Sequence, residues 1–287
     1  MKKYMIIALC TITTVSGMEQ QVIKREPREW DAELYAKGNK VQYESAFNFL
    51  KKNNITINNK HILDVGCGTG EISATLAQQA CSVHGFDASK NMVQYAQQKH
   101  LHNNLSFEQS FAENFSSEKQ YDLATIFFCF HWLFDKQQAL KQISQHIKLN
   151  GELFGTFPAS DDPHPARFTI ATQMITELYP DCSLTEKLDR SEPTLQELHE
   201  ILADVGFAII TSEQQTSNVI LPDRKALEDF QRPVAMSRPF LQQMSLEERE
   251  NFFTEFINRS ISIMETTEDN KLIEKVTTRI IHARKVK

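Results

Sequence analysis

The feature that most constrains this chain is an apolar run ending in three closely spaced glycines, His61-Ile-Leu-Asp-Val-Gly-Cys-Gly-Thr-Gly70. A strand that enters such a turn and leaves it as a helix is the opening of a strand–turn–helix unit. Gly66 and Gly68 let the backbone approach a ligand where a Cβ would collide. Gly70 opens the helix, whose N-terminus offers unpaired N–H groups to whatever lies over the turn. No Lys-Ser/Thr pair follows, so a phosphate-gripping P-loop is not expected. Alone, the turn is compatible with a dinucleotide as well as with other nucleosides.

Short apolar runs then alternate with helical segments. Residues 61–65, 82–87, 105–109 and 122–128 read as strands, the last a solid apolar run suited to a buried parallel position. Residues 71–80, 90–100 and 136–147 read as helices between them. Asn150-Gly151 turns into a fifth strand, residues 152–156. This rhythm implies a parallel sheet with right-handed crossovers. Upstream, residues 30–52 carry a helical pattern and residues 19–28 read as a polar lead-in. After Pro158 the rhythm stops. A helix is expected over 167–178, a lid or insertion over 180–193, and a helix over 195–205 ended by Gly206. Strands follow at 207–212 and 219–221. Residues 224–264 are largely helical with breaks at Pro233 and Pro239, and 273–283 forms a final strand, with helix as the alternative for 272–278. The expected fold is α/β: a doubly wound, mostly parallel seven-stranded sheet with a helical substrate cap. Residues 18–157 form the cofactor-binding core with its N-terminal cap helix. Residues 158–287 add the cap insertion, the last strands and the C-terminal helices of the same domain.

Charge and cysteines narrow the class. Lys plus Arg number 31 against 37 for Asp plus Glu, a net charge of −6. That argues against nucleic acid, whose phosphates call for clustered Lys and Arg. The five cysteines, Cys10, Cys67, Cys81, Cys129 and Cys182, show no C-x-x-C spacing. Neither zinc nor a disulfide framework is suggested, no metal is expected, and reduced thiols in a cytosol are the simplest reading. Residues 1–17 have the outline of a secretory signal, with Lys2 and Lys3 before an apolar run that is too short for a membrane span. Met18 as the true start, and a cytoplasmic location, are favoured over translocation.

The strand Val83-His-Gly-Phe-Asp87 ends in an acid where a doubly wound sheet places a carboxylate on a ribose. Asp64 stands just before the turn, suited to organising the loop or to reaching a cofactor ammonium. Two acids suit a cationic cofactor and disfavour a pyrophosphate. With Phe86-Asp-Ala-Ser-Lys-Asn-Met92 and Asn150-Gly-Glu-Leu-Phe154, the D-x-G-x-G-x-G run resembles the class I methyltransferases, which are Rossmann-like and use S-adenosylmethionine, releasing S-adenosylhomocysteine. The resemblance implies cofactor contacts at Asp64, Gly66, Cys67, Gly68, Gly70, Asp87, Ala88, Met92, Ala112 and Phe128. Many relatives place an acid after strand three against the adenine amine. Here Phe111 falls there, leaving the Ala112 backbone, Gln109, Glu113 or stacking.

Two further stretches, Glu33-Leu-Tyr-Ala-Lys-Gly-Asn-Lys-Val-Gln-Tyr-Glu-Ser-Ala46 and Phe128-Cys-Phe-His-Trp-Leu-Phe-Asp-Lys-Gln-Gln-Ala-Leu140, are similar to juvenile hormone acid methyltransferases. Arg238-Pro-Phe-Leu241 and residues 247–253 also fit that family. Trans-aconitate methyltransferases share the opening around Trp30, Leu34 and Tyr35. Both families methylate carboxylates. The resemblance implies that Gln42 and Trp132 hold a small-molecule carboxylic acid. His131, beside Trp132 in the sequence, is a further candidate for the substrate site, as a base for an oxygen or nitrogen acceptor or as a packing histidine. A carboxylate, with an ordinary pKa near ~4, needs no general base. In-line displacement at a sulfonium methyl chiefly needs orientation, which an amide and an indole N–H can supply. The alternatives are another acceptor (a quinone-like carbon, an amine or a carrier-protein-bound acid) and a non-catalytic binder that keeps the fold.

Overall fold

The computed structural model describes residues 29–163, 166–178, 192–236, 241 and 244–287. The signal-like residues 1–17, the lead-in over 19–28, most of the expected lid at 180–193 and Pro239 lie outside the described residues.

Five parallel strands build the centre: β1 (His61–Val65), β2 (Ser82–Asp87), β3 (Leu105–Gln109), β4 (Tyr121–Ile126) and β5 (Ile147–Thr156). They are joined through α3 (Glu71–Ala77), α4 (Lys90–Lys99) and α5 (Lys136–Gln145). The sheet continues with β6 (Phe207–Leu221), the two-residue β7 (Glu265–Thr266) and β8 (Leu272–Lys285), in the order β3-β2-β1-β4-β5-β8-β6 with β7 on β8. Among these strands only β8 is reversed: it runs antiparallel to its neighbours β5, β6 and β7. The chain moves outward from β1 to β3 and then returns to the other side of β1 at β4. That reversal leaves a crevice at the carboxyl ends of β1 and β4, where such sheets bind ligands.

Successive strand residues point to opposite faces. Leu63 and Ile281 enter one core, with Leu140 and Ile143 of α5 and Leu198 and Leu202 of α7 (Leu195–Asp204). Their neighbours Ile62 and Ile280 enter the other core, with Phe49 of α2 (Lys40–Lys52) and Leu76 of α3. A third apolar cluster lies under the cap. It joins Val41 of α2, Met174 and Ile175 of α6 (Ala166–Leu178), Leu227 of α8 (Arg224–Met236) and Phe253 and Ile257 of α9 (Leu246–Ile263) to Val219, Leu221 and Leu272. Side-chain caps fix the helix starts: Asp31 on Leu34 N, Ser89 on Met92 N, Asp135 on Gln138 N, and capping boxes at Thr194/Glu197 and Ser245/Glu248.

Four expectations are corrected. The helix over 30–52 is two helices, α1 (Ala32–Gly38) and α2, separated at Asn39. The strands expected at 207–212 and 219–221 are the single strand β6, paired to β8 along its length. Its polar middle is accommodated because the buried Gln215 and Ser217 bond to Asn53, which caps the end of α2, and to Asn48 within it. β5 starts at Ile147, ahead of the Asn150-Gly151 turn signal, with Asn150 in the left-handed region. Pro233 sits inside α8, which continues to Met236. The final segment, for which helix was an alternative, is strand β8.

Candidate active site

The glycine turn leaves β1 with Gly66, Gly68 and Gly70 all at positive φ, between 54° and 87°. The N–H groups of Gly66 and Cys67 both donate to Phe86 O at 2.9 and 3.0 Å, pulling the turn against the end of β2. A Cβ on Gly66 would lie 2.5 Å from the Cys129 side chain, and one on Gly70 would meet Phe107 and Ala96 at under 3 Å. Both positions therefore demand glycine on two counts, backbone angle and space.

Asp64 is buried mid-sheet. Its oxygens accept from Ser73 (2.5 Å) and from Thr125 (2.8 Å), its register partner on β4. Burial raises its carboxyl to about 6, against the lowering effect of the two hydroxyls. Asp87 ends β2, and its two oxygens accept from Gly68 N (3.0 Å) and Ser89 N (2.9 Å). Burial raises Asp87 too, and those backbone N–H groups oppose the shift. Cys67 and Cys129 are pushed well up by burial and by the same two acids, so both thiols stay protonated. Met92 is buried in the first turn of α4, and Ala88 accepts from Gln109 through its carbonyl.

After β3 the two side chains offered for an adenine contact, Glu113 and Gln109, both make hydrogen bonds within the chain. Glu113, buried in the 3-10 turn Ala112–Asn114, accepts from Phe134 N and Asp135 N and braces the entry to α5. Gln109 donates to Ala88 O. Ala112 itself is buried.

The loop after β4 carries the other candidates. Phe128 adopts φ +55°, and its N–H donates to Thr156 Oγ1 at 2.7 Å. His131 and Trp132 lie on the 3-10 turn Phe130–Trp132, with ring centroids 4.9 Å apart. Trp30 meets the Trp132 ring edge-on at 5.4 Å and Tyr35 at 6.0 Å. Tyr35 comes within 3.8 Å of the space beside Gly68. Asn39 donates to Thr69 Oγ1 and Tyr43 bonds to Thr75, which ties the start of α2 to the glycine turn and α3. Gln42 lies on that tied turn of α2, and its amide oxygen is buried without a hydrogen-bond partner.

The structure therefore groups the glycine turn, Asp64, Asp87, Ala88 and Met92 along the ends of β1 and β2, and links Trp132 to the N-terminal segment through Trp30. Three features were missed in the sequence. Glu29 accepts from Ser89 Oγ, Lys90 N and Asn91 N over the start of α4. Tyr35 overhangs Gly68, and Thr156 holds the Phe128 backbone. No motif marks these contacts; Tyr35 was visible beforehand only as part of the N-terminal stretch that carries the family resemblance.

Residues 62–151 match the family model described as a methyltransferase domain. The chain is a class I S-adenosylmethionine-dependent methyltransferase. The methyltransferase is 28% identical over 242 residues to protein 235L of Invertebrate iridescent virus 6, assigned as a methyltransferase, covering 82% of this chain and 86% of that one. It is 29% identical to the trans-aconitate 2-methyltransferase of Deinococcus radiodurans, over 64% of this chain and 71% of the relative. It is 34% identical to the ubiquinone biosynthesis O-methyltransferase of Rickettsia prowazekii, over 39% and 46%. Among solved structures, the phosphoethanolamine N-methyltransferase 2 of Haemonchus contortus in complex with S-adenosyl-L-methionine shares the fold. There the TM-score is 0.55 at 17% identity, over 89% of this chain and 57% of that one. The methyltransferase's own residues fit its cofactor: the buried Asp64 and the half-buried Asp87, both carboxyls raised by desolvation, suit a ligand bearing a sulfonium and an ammonium. Among the described residues there is no group of three potential metal ligands, and no helix is long and apolar enough to cross a membrane.

Proposed function

We propose that this methyltransferase transfers a methyl group to the carboxylate of a small organic acid. The observation that carries this reading is the buried, unpartnered amide oxygen of Gln42, on the turn of α2 tied to the glycine loop. A half-turn of that amide exchanges its oxygen for its N–H₂, giving a donor for an acceptor oxygen. Bound over the glycine turn, S-adenosylmethionine supplies an electrophilic methyl on a sulfonium. Asp87 is the residue for the ribose hydroxyls, since each of its oxygens keeps a lone pair beyond the backbone N–H it accepts. Gly66, Cys67, Gly68, Gly70, Ala88, Met92, Ala112 and Phe128 would line the remainder of that site. Gln42 and the Trp132 indole would orient the acid, with His131 at its edge. Neutral donors leave its oxygens nucleophilic, and the surrounding aromatic rings exclude water. No proton has to be removed from an ionised acid, so no base is assigned. The trans-aconitate relative is named for a carboxylic acid acceptor.

The test is a panel of carboxylic acids, trans-aconitate and dodecanoate among them, with labelled methyl donor. Gln42→Ala and Trp132→Ala should each lower turnover by about 100-fold, the scale of a lost orienting contact. S-adenosylhomocysteine affinity, measured by calorimetry, should stay within threefold. Loss of that affinity would remove the assigned roles. The ubiquinone relative, named as an O-methyltransferase, keeps a second reading open: an acceptor hydroxyl deprotonated by His131. A pH–rate profile with an essential group near neutrality, abolished in His131→Gln, would select it.

A further inference from the structure

The loop after β4 holds a conformation that its own sequence resists. Phe128 lies at φ +55°, a left-handed region that strains a bulky residue and persists only where surroundings over-determine it. Two contacts do so, from different strands. Thr156, at the end of β5 and 1% exposed, accepts the Phe128 N–H on its hydroxyl at 2.7 Å. Cys129, the next residue, donates its thiol to Val65 O at 3.1 Å, the last carbonyl of β1 before the glycine turn. The Cys129 side chain fills the space that the missing Cβ of Gly66 leaves open. The Cys129 carbonyl in turn accepts from Trp132 N at 2.7 Å. One end of the loop is thus keyed into the cofactor turn and the other is pinned to β5, with Trp132 hydrogen-bonded to the keyed residue.

We propose that Thr156 and Cys129 are positioning residues for methyl transfer: together they hold the strained Phe128 turn so that Trp132 is set in register with the glycine turn. The proposal rests on the reading that Trp132 faces the acceptor, and neither residue touches the reacting atoms. Hydrogen bonds of this length and alignment fix direction as well as distance. A shift of about 1 Å at an orienting group is enough to cost roughly 100-fold in rate.

The experiment replaces Thr156 with Val, which keeps the shape and removes the acceptor, and with Ser, which restores it. Fluorescence reads the loop without any acceptor. In a Trp30→Phe background Trp132 is the sole tryptophan, since the chain has two. Thr156→Val should shift its emission to longer wavelength, and Thr156→Ser should return it. With whichever panel acid turns over, Thr156→Val should lower kcat at least tenfold and leave S-adenosylhomocysteine affinity within threefold. Thr156→Ser should recover kcat to within threefold. Cys129→Ser should likewise outperform Cys129→Ala. An unchanged emission, or a kcat in Thr156→Val within twofold of the native protein, overturns the proposal. A fall in cofactor affinity parallel to kcat also overturns it, because the effect would then be general loosening. If the native protein methylates no acid, the carboxylate reading fails and the emission alone decides this one.

Discussion

At Asp64 the stability of the fold meets its chemistry. The carboxyl sits between Gly85 and Thr125 in the middle of the sheet, and burial lifts it from an ordinary 3.8 to about 6. The folded chain thus holds this proton more tightly than the unfolded chain. Its contribution favours folding below about pH 4 and is lost as the pH rises through about 6. Asp64→Asn removes the ionisation. Measured against the native chain in urea, the variant should gain up to about 3 kcal/mol in relative stability between roughly pH 3.5 and pH 7. A stability gap independent of pH would show that Asp64 is not desolvated in solution. Ser45 offers a second residue-scale test. It lies one turn beyond Gln42 on α2, fully buried, and its hydroxyl has no hydrogen-bond partner. Such a group costs about 1–3 kcal/mol, so Ser45→Ala should raise the melting temperature by about 2–4 °C. A lower melting temperature would reveal a bonded hydroxyl.

At the scale of elements, the junction of α1 with α8 leaves no room for a side chain. A Cβ at Gly38 would stand 1.9 Å from Asp229 O and 2.8 Å from the Phe230 Cα, both backbone atoms that cannot swing aside. Gly38→Ala should therefore part the N-terminal helix from the cap helix and cost about 1–3 kcal/mol, as overpacking does. Thermal unfolding checks this, and an unchanged midpoint would mean the helices sit further apart. This contact also shows what a sequence conceals. The central strands were legible because their apolar runs and the glycine turn are local signals, and Asp87 followed from its place at a strand end. The continuity of β6 was hidden. Its buried face uses Gln215 and Ser217, and their partners Asn53 and Asn48 lie more than 160 residues away. The Phe128 turn was hidden for a similar reason. Nothing in Phe-Phe-Cys-Phe announces a left-handed residue held by a threonine at the end of another strand. The gap between α1 and α2 was equally silent, since Gly38 and Asn39 fall within an unbroken helical pattern.

Across the whole molecule, β6 and β8 form a ribbon running from the central sheet into the cap. Near its sheet end, Ile280 and Ile281 enter the two main cores; at its far end, Val219, Leu221 and Leu272 enter the cap cluster. One hydrogen-bonded ladder spans both, so they should open as one cooperative unit. Hydrogen exchange should protect residues 272–279 as strongly as 280–285. Exchange orders of magnitude faster in the first half would mean that the cap unfolds separately. The place of β8 has a consequence in time as well as in space. It follows β6 in the chain but is inserted between β5 and β6, with β6 lying parallel to β5. During synthesis, β5 and β6 emerge first, each with an unsatisfied edge and each able to bond wrongly to the other. The sheet is closed by a late wedge rather than extended strand by strand. The interval before that wedge arrives is when a newborn chain is most exposed to misassembly.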